Sequence, residues 1–304
     1  MQHLFLSTTM GVRIATMFSD YGESALNGNS FKENAVFHLA DHALKHMLNK
    51  HTHYSHLVIT TSCPDSIAPS LGQCIIQHYH DEFGSSQTID IVQGCAGGVS
   101  ALILASQLSE LDKGNVLVVA ADAAQKAASP ASEVFEVFQN GVFTCCVSYV
   151  DDHSRLVYHR TRQYKDLYNV VTIGLGHDAD AIIAANMGDM ATDPRKHLGL
   201  RLDNHLAIKL MKEAEKFYLD FIEQTGHPDI LILHQVNVPI INHLEKVFAK
   251  YPIRFINKAK ETGNCGCATT GILLDQLKNE IRDKKVMICG FGTGGVITAG
   301  LWQF

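Results

Sequence analysis

The stretch "DIVQGCAGGVSALILASQL" (90–108) sets one thiol, Cys95, between a β-branched apolar run and an amphipathic helix pattern, with Gly94, Ala96, Gly97 and Gly98 around it. A cysteine at the start of a helix faces unpaired backbone N–H groups and the positive end of the helix dipole, and both favour thiolate. Small neighbours leave room for a thioester and let backbone N–H groups aim at a developing oxyanion. This is the profile of a cysteine that carries a covalent intermediate. A small buried residue in a tight turn has the same local sequence, because free cysteine is commonly buried, and the corner alone does not separate the two.

Three other places bear on that cysteine. His234 directly follows apolar strand residues in "LILHQVN", which either brings an imidazole to a strand end for chemistry or buries a satisfied histidine. Asn264 stands in "ETGNCGCATTG", where a glycine-hinged corner lets its amide donate into a cavity and where an ordinary turn asparagine also fits. The segment "GFGTGGVITAG" (290–300) is a strand running into a glycine loop. It lacks the lysine and following helix of a P-loop, and offers backbone N–H groups to an oxyanion instead.

The elements that must position these groups repeat. In the first half, a helix pattern (31–49) leads to a strand (56–61), a helix (69–81), a strand (88–93), the Cys95 corner with its helix (96–110) and a strand (116–122). In the second, a helix (203–225) leads to a strand (229–234), a helix (237–250), "RFINK" (254–258), the glycine-rich corner (262–271), a helix (271–282) and a strand (286–292). Continuous apolar strands alternating with helices predict parallel pairing with both faces covered, and right-handed crossovers stack each half as a β-α-β-α-β unit. Cys95 and Asn264 then occupy equivalent strand-to-helix corners, with His234 ending the strand before the second. All three fall at the carboxyl ends of strands, where open parallel sheets gather reactive groups. The expected division is 1–150 for the first half, 151–202 for a linker and insert, and 203–304 for the second half.

Composition narrows the class. A chain of 304 residues that is 46% hydrophobic can bury a large core, and a net charge of −6 offers no basic field for nucleic acid or an anionic membrane. The longest apolar runs are strand length, short of a membrane span, and "MQHLFLSTTMGV" lacks a signal peptide's charged start. Eight cysteines without small-scaffold spacing fit a reducing cytoplasm. His38, His42 and His46 share a helical face, but no Asp, Glu or Cys is placed to complete a ligand set, so a solvated polar face is expected and no metal.

Cys95 in "DIVQGCAGGVSAL", His234 in "LILHQVNVPI", Asn264 in "GNCGCATTGI" and the closing "GFGTGGVITAGLWQF" stand in the order and approximate spacing of the β-ketoacyl synthase III-like branch of the thiolase superfamily, which the chain resembles from about residue 31 onward. The resemblance implies an α/β fold, the thiolase-like five-layer α-β-α-β-α arrangement of two pseudo-duplicated halves, in a homodimer or a heterodimer with a related chain. It also implies a Cys-His-Asn triad. Cys95 takes an acyl group from a CoA or acyl-carrier-protein thioester, which is a substrate, and no cofactor is called for. His234 and Asn264 hydrogen-bond the carbonyl of a malonyl-type thioester as CO2 leaves, and the carbanion attacks the acyl-Cys95 carbonyl. The oxyanion is held by the backbone N–H of Cys95 and by one from Gly294 or Thr293. Aligning the last fifteen residues end to end favours Thr293, where the family has glycine, and this is tolerable if its φ is negative.

Departures from the family carry expectations of their own. The part before Cys95 is shorter than usual, and Arg13 is the one remnant of the family's clamp on the pantetheine arm. Ala68, with Ile67 beside it, stands where relatives often place a bulky residue that floors the partner's acyl pocket, so a longer or bulkier acyl group is expected. Pro239 replaces a basic residue used to meet acidic carrier protein, which leaves Lys246 and Lys250 on that helix and weakens charge complementarity for docking. These features suggest an acyltransferase of secondary metabolism. Two other readings stay open: non-decarboxylative transfer from Cys95 to an amine, alcohol or aromatic nucleophile, and a partner subunit of a heterodimeric ketosynthase.

Overall fold

The structure, a computed structural model, describes residues 11–22, 25, 34–48, 52–127, 135–175 and 198–304. Most of the insert expected to cover the substrate (176–197) lies outside the described residues, as do 1–10 and 26–33. The first five strands, β1 (Gly11–Tyr21), β2 (Tyr54–Thr60), β3 (Gln87–Ile91), β4 (Asn115–Ala123) and β5 (Asn140–Val150), form one sheet in the order β1-β5-β4-β2-β3. A second sheet has the order β10-β9-β11-β12-β6, from β6 (Arg155–Gln163), β9 (Ile230–Leu233), β10 (Arg254–Ile256), β11 (Lys285–Gly292) and β12 (Val296–Gln303). Strands β7 (Val171–Leu175) and β8 (Leu198–Leu202) pair antiparallel by themselves.

The parallel pairing expected from continuous apolar strands is present in both halves. β2 runs parallel to β3 and β4, and β9 runs parallel to β10 and β11. Antiparallel strands extend each sheet on one side, β5 and β1 in the first and β12 and β6 in the second. β6 lies within the stretch read as linker and insert, and its partner is β12.

Alternation along the strands builds the layers. In β4, Val116, Val118 and Ala120 join the central core, while Leu117, Val119 and Ala121 face the other way. In β9, Ile230 and Ile232 point to that same core, and Leu231 and Leu233 point outward. Successive side chains leave a strand on opposite faces, so a strand apolar at every position needs cover on both sides. Helix α1 (Ala35–Met47) covers the outer face of the first sheet with Val36, Leu39, Ala43 and Leu44. After α2 (Leu71–His78) and α3 (His80–Phe83), helix α4 (Gly97–Asp112) runs between the sheets, joined there by α8 (Thr269–Gln276). Helices α5 (Asn204–Thr225) and α6 (Val238–Phe248) close the outer face of the second sheet, before the short α7 (Ala259–Thr262). The result is the expected five-layer α-β-α-β-α order. Each large side chain buried in these interfaces stabilises the fold by about 1.5–3 kcal/mol relative to exposure.

The central layer is tight. A Cβ on Gly98 would come within 2.1 Å of the Cys267 carbonyl oxygen, so the first turn of α4 packs directly on the turn that leads into α8. Trp302 reaches into this layer and donates from Nε1 to the Ser106 hydroxyl at 3.1 Å. The two equivalent corners of the halves are thereby held against one another by backbone contact.

Candidate active site

Strand β3 delivers the chain to a single 3-10 turn, Gly94–Ala96, which opens helix α4. Gly94 has φ 55°, a conformation that L side chains rarely adopt, and a Cβ there would fall 2.7 Å from Thr293 Oγ1. Cys95 follows it, partly buried at the cavity wall. Its thiol is pushed up to about 12, first by burial and then by the negative charge of Asp122, with its own backbone N–H pulling the other way. The local expectation of a thiolate at this helix start is therefore corrected: non-local burial and a buried carboxylate outweigh it, and the resting group is a thiol.

The second corner repeats the first residue for residue. Gly266–Ala268 is also a 3-10 turn of sequence Gly-Cys-Ala, with Gly266 at φ 57°, and it opens α8. In this register the positional counterpart of Cys95 is Cys267, and Asn264 stands two residues before the turn. Cys267 is fully buried and donates its thiol to the Thr60 carbonyl at 3.4 Å. The equivalence of the corners holds, while the residue of the second that lines the cavity is Asn264, upstream of the turn.

Asn264 is fixed on every side. Its N–H donates to the Val137 carbonyl at 3.0 Å, and its carbonyl accepts from Gln139 N–H at 2.9 Å. Its side-chain Oδ1 accepts from Gly266 N–H at 3.0 Å, and Nδ2 donates to the Val236 carbonyl at 3.2 Å. That orientation decides the histidine tautomer. His234, placed beyond the last residue of β9 and held by its N–H to the Cys289 carbonyl, lies with Nε2 2.9 Å from Asn264 Oδ1. An oxygen that already faces a donor must be the acceptor, so Nε2 carries the proton and Nδ1 is bare. Among the described residues the buried Nδ1 has no hydrogen-bond partner, and burial lowers the imidazole to about 4 against the opposing pull of Asn264. His234 is neutral at pH 7.

Asp122, at the end of β4, is a site residue that sequence reasoning missed. Fully buried, it accepts from Thr61 Oγ1 at 2.9 Å, Ser62 N–H at 2.6 Å, Ser62 Oγ at 2.6 Å, Cys63 N–H at 3.2 Å and Cys267 N–H at 2.7 Å. One carboxylate thus ties the loop after β2 to the turn beside Asn264. The signal was present in "VLVVAAD", an acid ending an otherwise apolar strand. A buried acid of that kind needs donors to offset its desolvation.

These groups meet in one cavity of about 290 Å³. Cys95, His234, Asn264, Gly292 and Thr293 line it, with Ala124, Ala127, Phe138, Val170, Val171, Ile173, Leu210 and Phe291 as its apolar wall. Thr293 is absent from the positive-φ residues, which meets the condition for a side chain there. Residues 202–304 match the family described as 3-oxoacyl-[acyl-carrier-protein (ACP)] synthase III C terminal. The β-ketoacyl-[acyl-carrier-protein] synthase III of Oenococcus oeni is 24% identical over 257 residues, covering 78% of this chain and 74% of that protein. The enzyme of the same name from Rickettsia rickettsii is 25% identical over 244 residues, covering 79% and 73%. In sequence, then, the chain is similar to β-ketoacyl-[acyl-carrier-protein] synthase III proteins over most of its length, and its last third matches their C-terminal family model. In fold it is similar to the 3-oxoacyl-(acyl carrier protein) synthase III FabH of Xanthomonas oryzae pv. oryzae, with a TM-score of 0.73 at 17% identity over 97% of this chain and 99% of that one. A variant of Xanthomonas campestris OleA superposes with a TM-score of 0.70 at 18% identity, over 88% and 81%.

Several family-derived positions lie elsewhere in this synthase III-like chain. Arg13 sits in β1 opposite Ser148, which pairs in turn with Asn115 at the start of β4, so it stands at the end of the sheet away from the cavity and pairs with Asp152. It is no remnant of a pantetheine clamp. Ala68 and Ile67 are exposed and do not line the chain's own cavity. Lys250 pairs with Glu215 at 2.5 Å, while Lys246 is exposed on α6. Among the described residues no group of three or more His, Cys, Asp or Glu side chains is placed to hold a metal ion, and no helix is long and apolar enough to cross a membrane.

Proposed function

We propose that this chain is an acyltransferase that loads an acyl group on Cys95 and condenses it with a malonyl-type thioester. The observation that carries the reading is the convergence of Cys95, His234 and Asn264 on one apolar-walled cavity that the glycine loop also lines, through Gly292 and Thr293. The Cys95 sulfur attacks the carbonyl of an acyl-CoA or acyl-carrier-protein thioester. The donor's thiol leaves with the proton that Cys95 gives up. In the second half-reaction, the Nε2–H of His234 and an N–H of Asn264 turn to the carbonyl oxygen of the malonyl thioester. They stabilise the enolate as CO2 departs, a task suited to neutral donors in a dry cavity. The carbanion attacks the acyl carbonyl, a C–C bond replaces the C–S bond, and the Cys95 sulfur takes up a proton.

The backbone N–H groups of Cys95 and Thr293 hold the tetrahedral oxyanion. The working unit is a dimer, with a second copy or a related chain. Support comes from β3, which has a partner on one side only among the described residues, and from two exposed large apolar side chains, Val92 just past its end and Ile67 in the loop before Pro69, 82% and 78% exposed. Ala68 and Ile67 face that partner's pocket. The small Ala68 favours a bulky acyl substrate, and Pro239 in place of a basic residue favours a CoA thioester or a docking partner subunit, both in keeping with secondary metabolism. The reading is tested by intact-protein mass spectrometry after incubation with acyl-CoAs and acyl-carrier proteins, alongside CO2 release from a malonyl thioester. Acyl adducts that persist in Cys95→Ala protein would overturn it.

A further inference from the structure

The loop between β11 and β12 has three residues, and Thr293 is the one with a side chain. Gly294 and Gly295 take φ 75° and 72°, while Thr293 does not enter the left-handed region. The other hydroxyl residue that lines the cavity, Ser62, is engaged: its Oγ donates to Asp122. Thr293 differs. Among the described residues neither its N–H nor its hydroxyl makes a hydrogen bond, and the residue lines the cavity with Cys95.

Its place relative to the nucleophile is set by Gly94. A Cβ on that glycine would lie 2.7 Å from Thr293 Oγ1, 2.8 Å from Cγ2 and 2.9 Å from the backbone N. Both branches of the side chain and the backbone donor therefore crowd the residue immediately before Cys95. A β-branched side chain has few χ1 states, and packing on Gly94 restricts them further. A hydroxyl held in this way beside a reacting centre has lost little mobility still to be surrendered when charge develops.

We propose that the Thr293 hydroxyl donates a hydrogen bond to the carbonyl oxygen of the acyl group on Cys95 as that carbon becomes tetrahedral, a third donor beside the two backbone N–H groups. The proposal rests on the acylation of Cys95 put forward above. It makes Thr293 a catalytic residue through its side chain, where a glycine would supply the N–H alone. Threonine→valine keeps the shape and removes the donor, and threonine→serine keeps the donor and removes the methyl.

The test is single-turnover acylation of Cys95 by acetyl-CoA, butyryl-CoA and octanoyl-CoA, read by intact mass, with iodoacetamide alkylation of Cys95 measured in parallel. Alkylation at sulfur passes through no carbonyl oxyanion. Thr293→Val should acylate roughly tenfold more slowly or worse, short of the 10²–10³ lost with a rigid donor, and alkylate within about twofold of the wild type. Thr293→Ser should acylate within about threefold. Equal acylation by wild type and Thr293→Val overturns this proposal alone, and so does a parallel fall in alkylation, which marks a structural role. A wild type that never loads Cys95 with any of the three overturns the proposal together with the reading beneath it.

Discussion

His234 donates from Nε2 to Oδ1 of Asn264 across 2.9 Å, joining the end of β9 to the corner that leads into α8. The bond is determined from outside the pair. Gly266 N–H and the Val236 carbonyl fix the asparagine amide, and the amide fixes the imidazole tautomer. The His234 donor is thereby held on the asparagine oxygen, and the Asn264 amide donor on the Val236 carbonyl.

This arrangement separates the two half-reactions. His234→Ala and Asn264→Ala should reduce CO2 release from a malonyl thioester by roughly 10²–10³, the scale of a lost preorganised donor, while slowing Cys95 acylation by less than about tenfold. Intact mass and CO2 release on the same preparations read both. Equal loss in the two steps would place the pair in acyl loading as well.

The low imidazole value also predicts a pH dependence of stability. His234 titrates at about 4 in the folded chain against an ordinary 6.5, so the unfolded chain binds more protons between those values. Stability from this residue is full above about pH 6.5 and is lost as pH falls through 4. The whole difference is on the order of 3 kcal/mol. Urea midpoints measured from pH 7 to pH 4 should fall more steeply for the wild type than for His234→Gln, and parallel curves would contradict the assignment.

Much of this was legible in the sequence because it is local. Period-2 alternation with no polar face in β4 and β9 requires helices on both sides, which gives the layers. Glycine beside Cys95 marks a left-handed turn. The repeated string Gly-Cys-Ala at 94–96 and 266–268 even carried the register of the duplication, and weighting Asn264 as the counterpart obscured it. What was not legible is non-local. The ionisation of Cys95 depends on Asp122, and the donors to Asp122 come from residues 61–63 and 267. The place of Arg13 follows from β1 joining the sheet beside β5, and no spacing around Arg13 encodes that.

Asp122 should therefore be felt both in stability and at the thiol. In Asp122→Asn one oxygen becomes an amide that faces N–H and O–H donors, so at least one buried bond is lost, at a cost of about 1–3 kcal/mol. Removing the negative charge removes one of the two causes that raise Cys95. Iodoacetamide alkylation of the folded variant at pH 8 should then be several-fold faster than in the wild type. An alkylation pH profile that does not move would show that burial alone holds the thiol up.

Strand β3 supplies the last prediction. Among the described residues it is an edge strand with one side of Gln87–Ile91 unpartnered, and Val92 just past its end is 82% exposed. Soluble proteins rarely leave an apolar edge of this kind open, because it templates pairing with another chain. A second copy pairing along β3 would bury these side chains and bring the loop at Ala68 towards the neighbouring cavity. Sedimentation velocity should give a dimer for the wild type. Val92→Arg, which adds a charge that must be desolvated twice across a twofold, should shift it to monomer at micromolar concentration and reduce acyl loading, with unchanged far-UV circular dichroism. A Val92→Arg protein that stays dimeric would move the interface away from this edge.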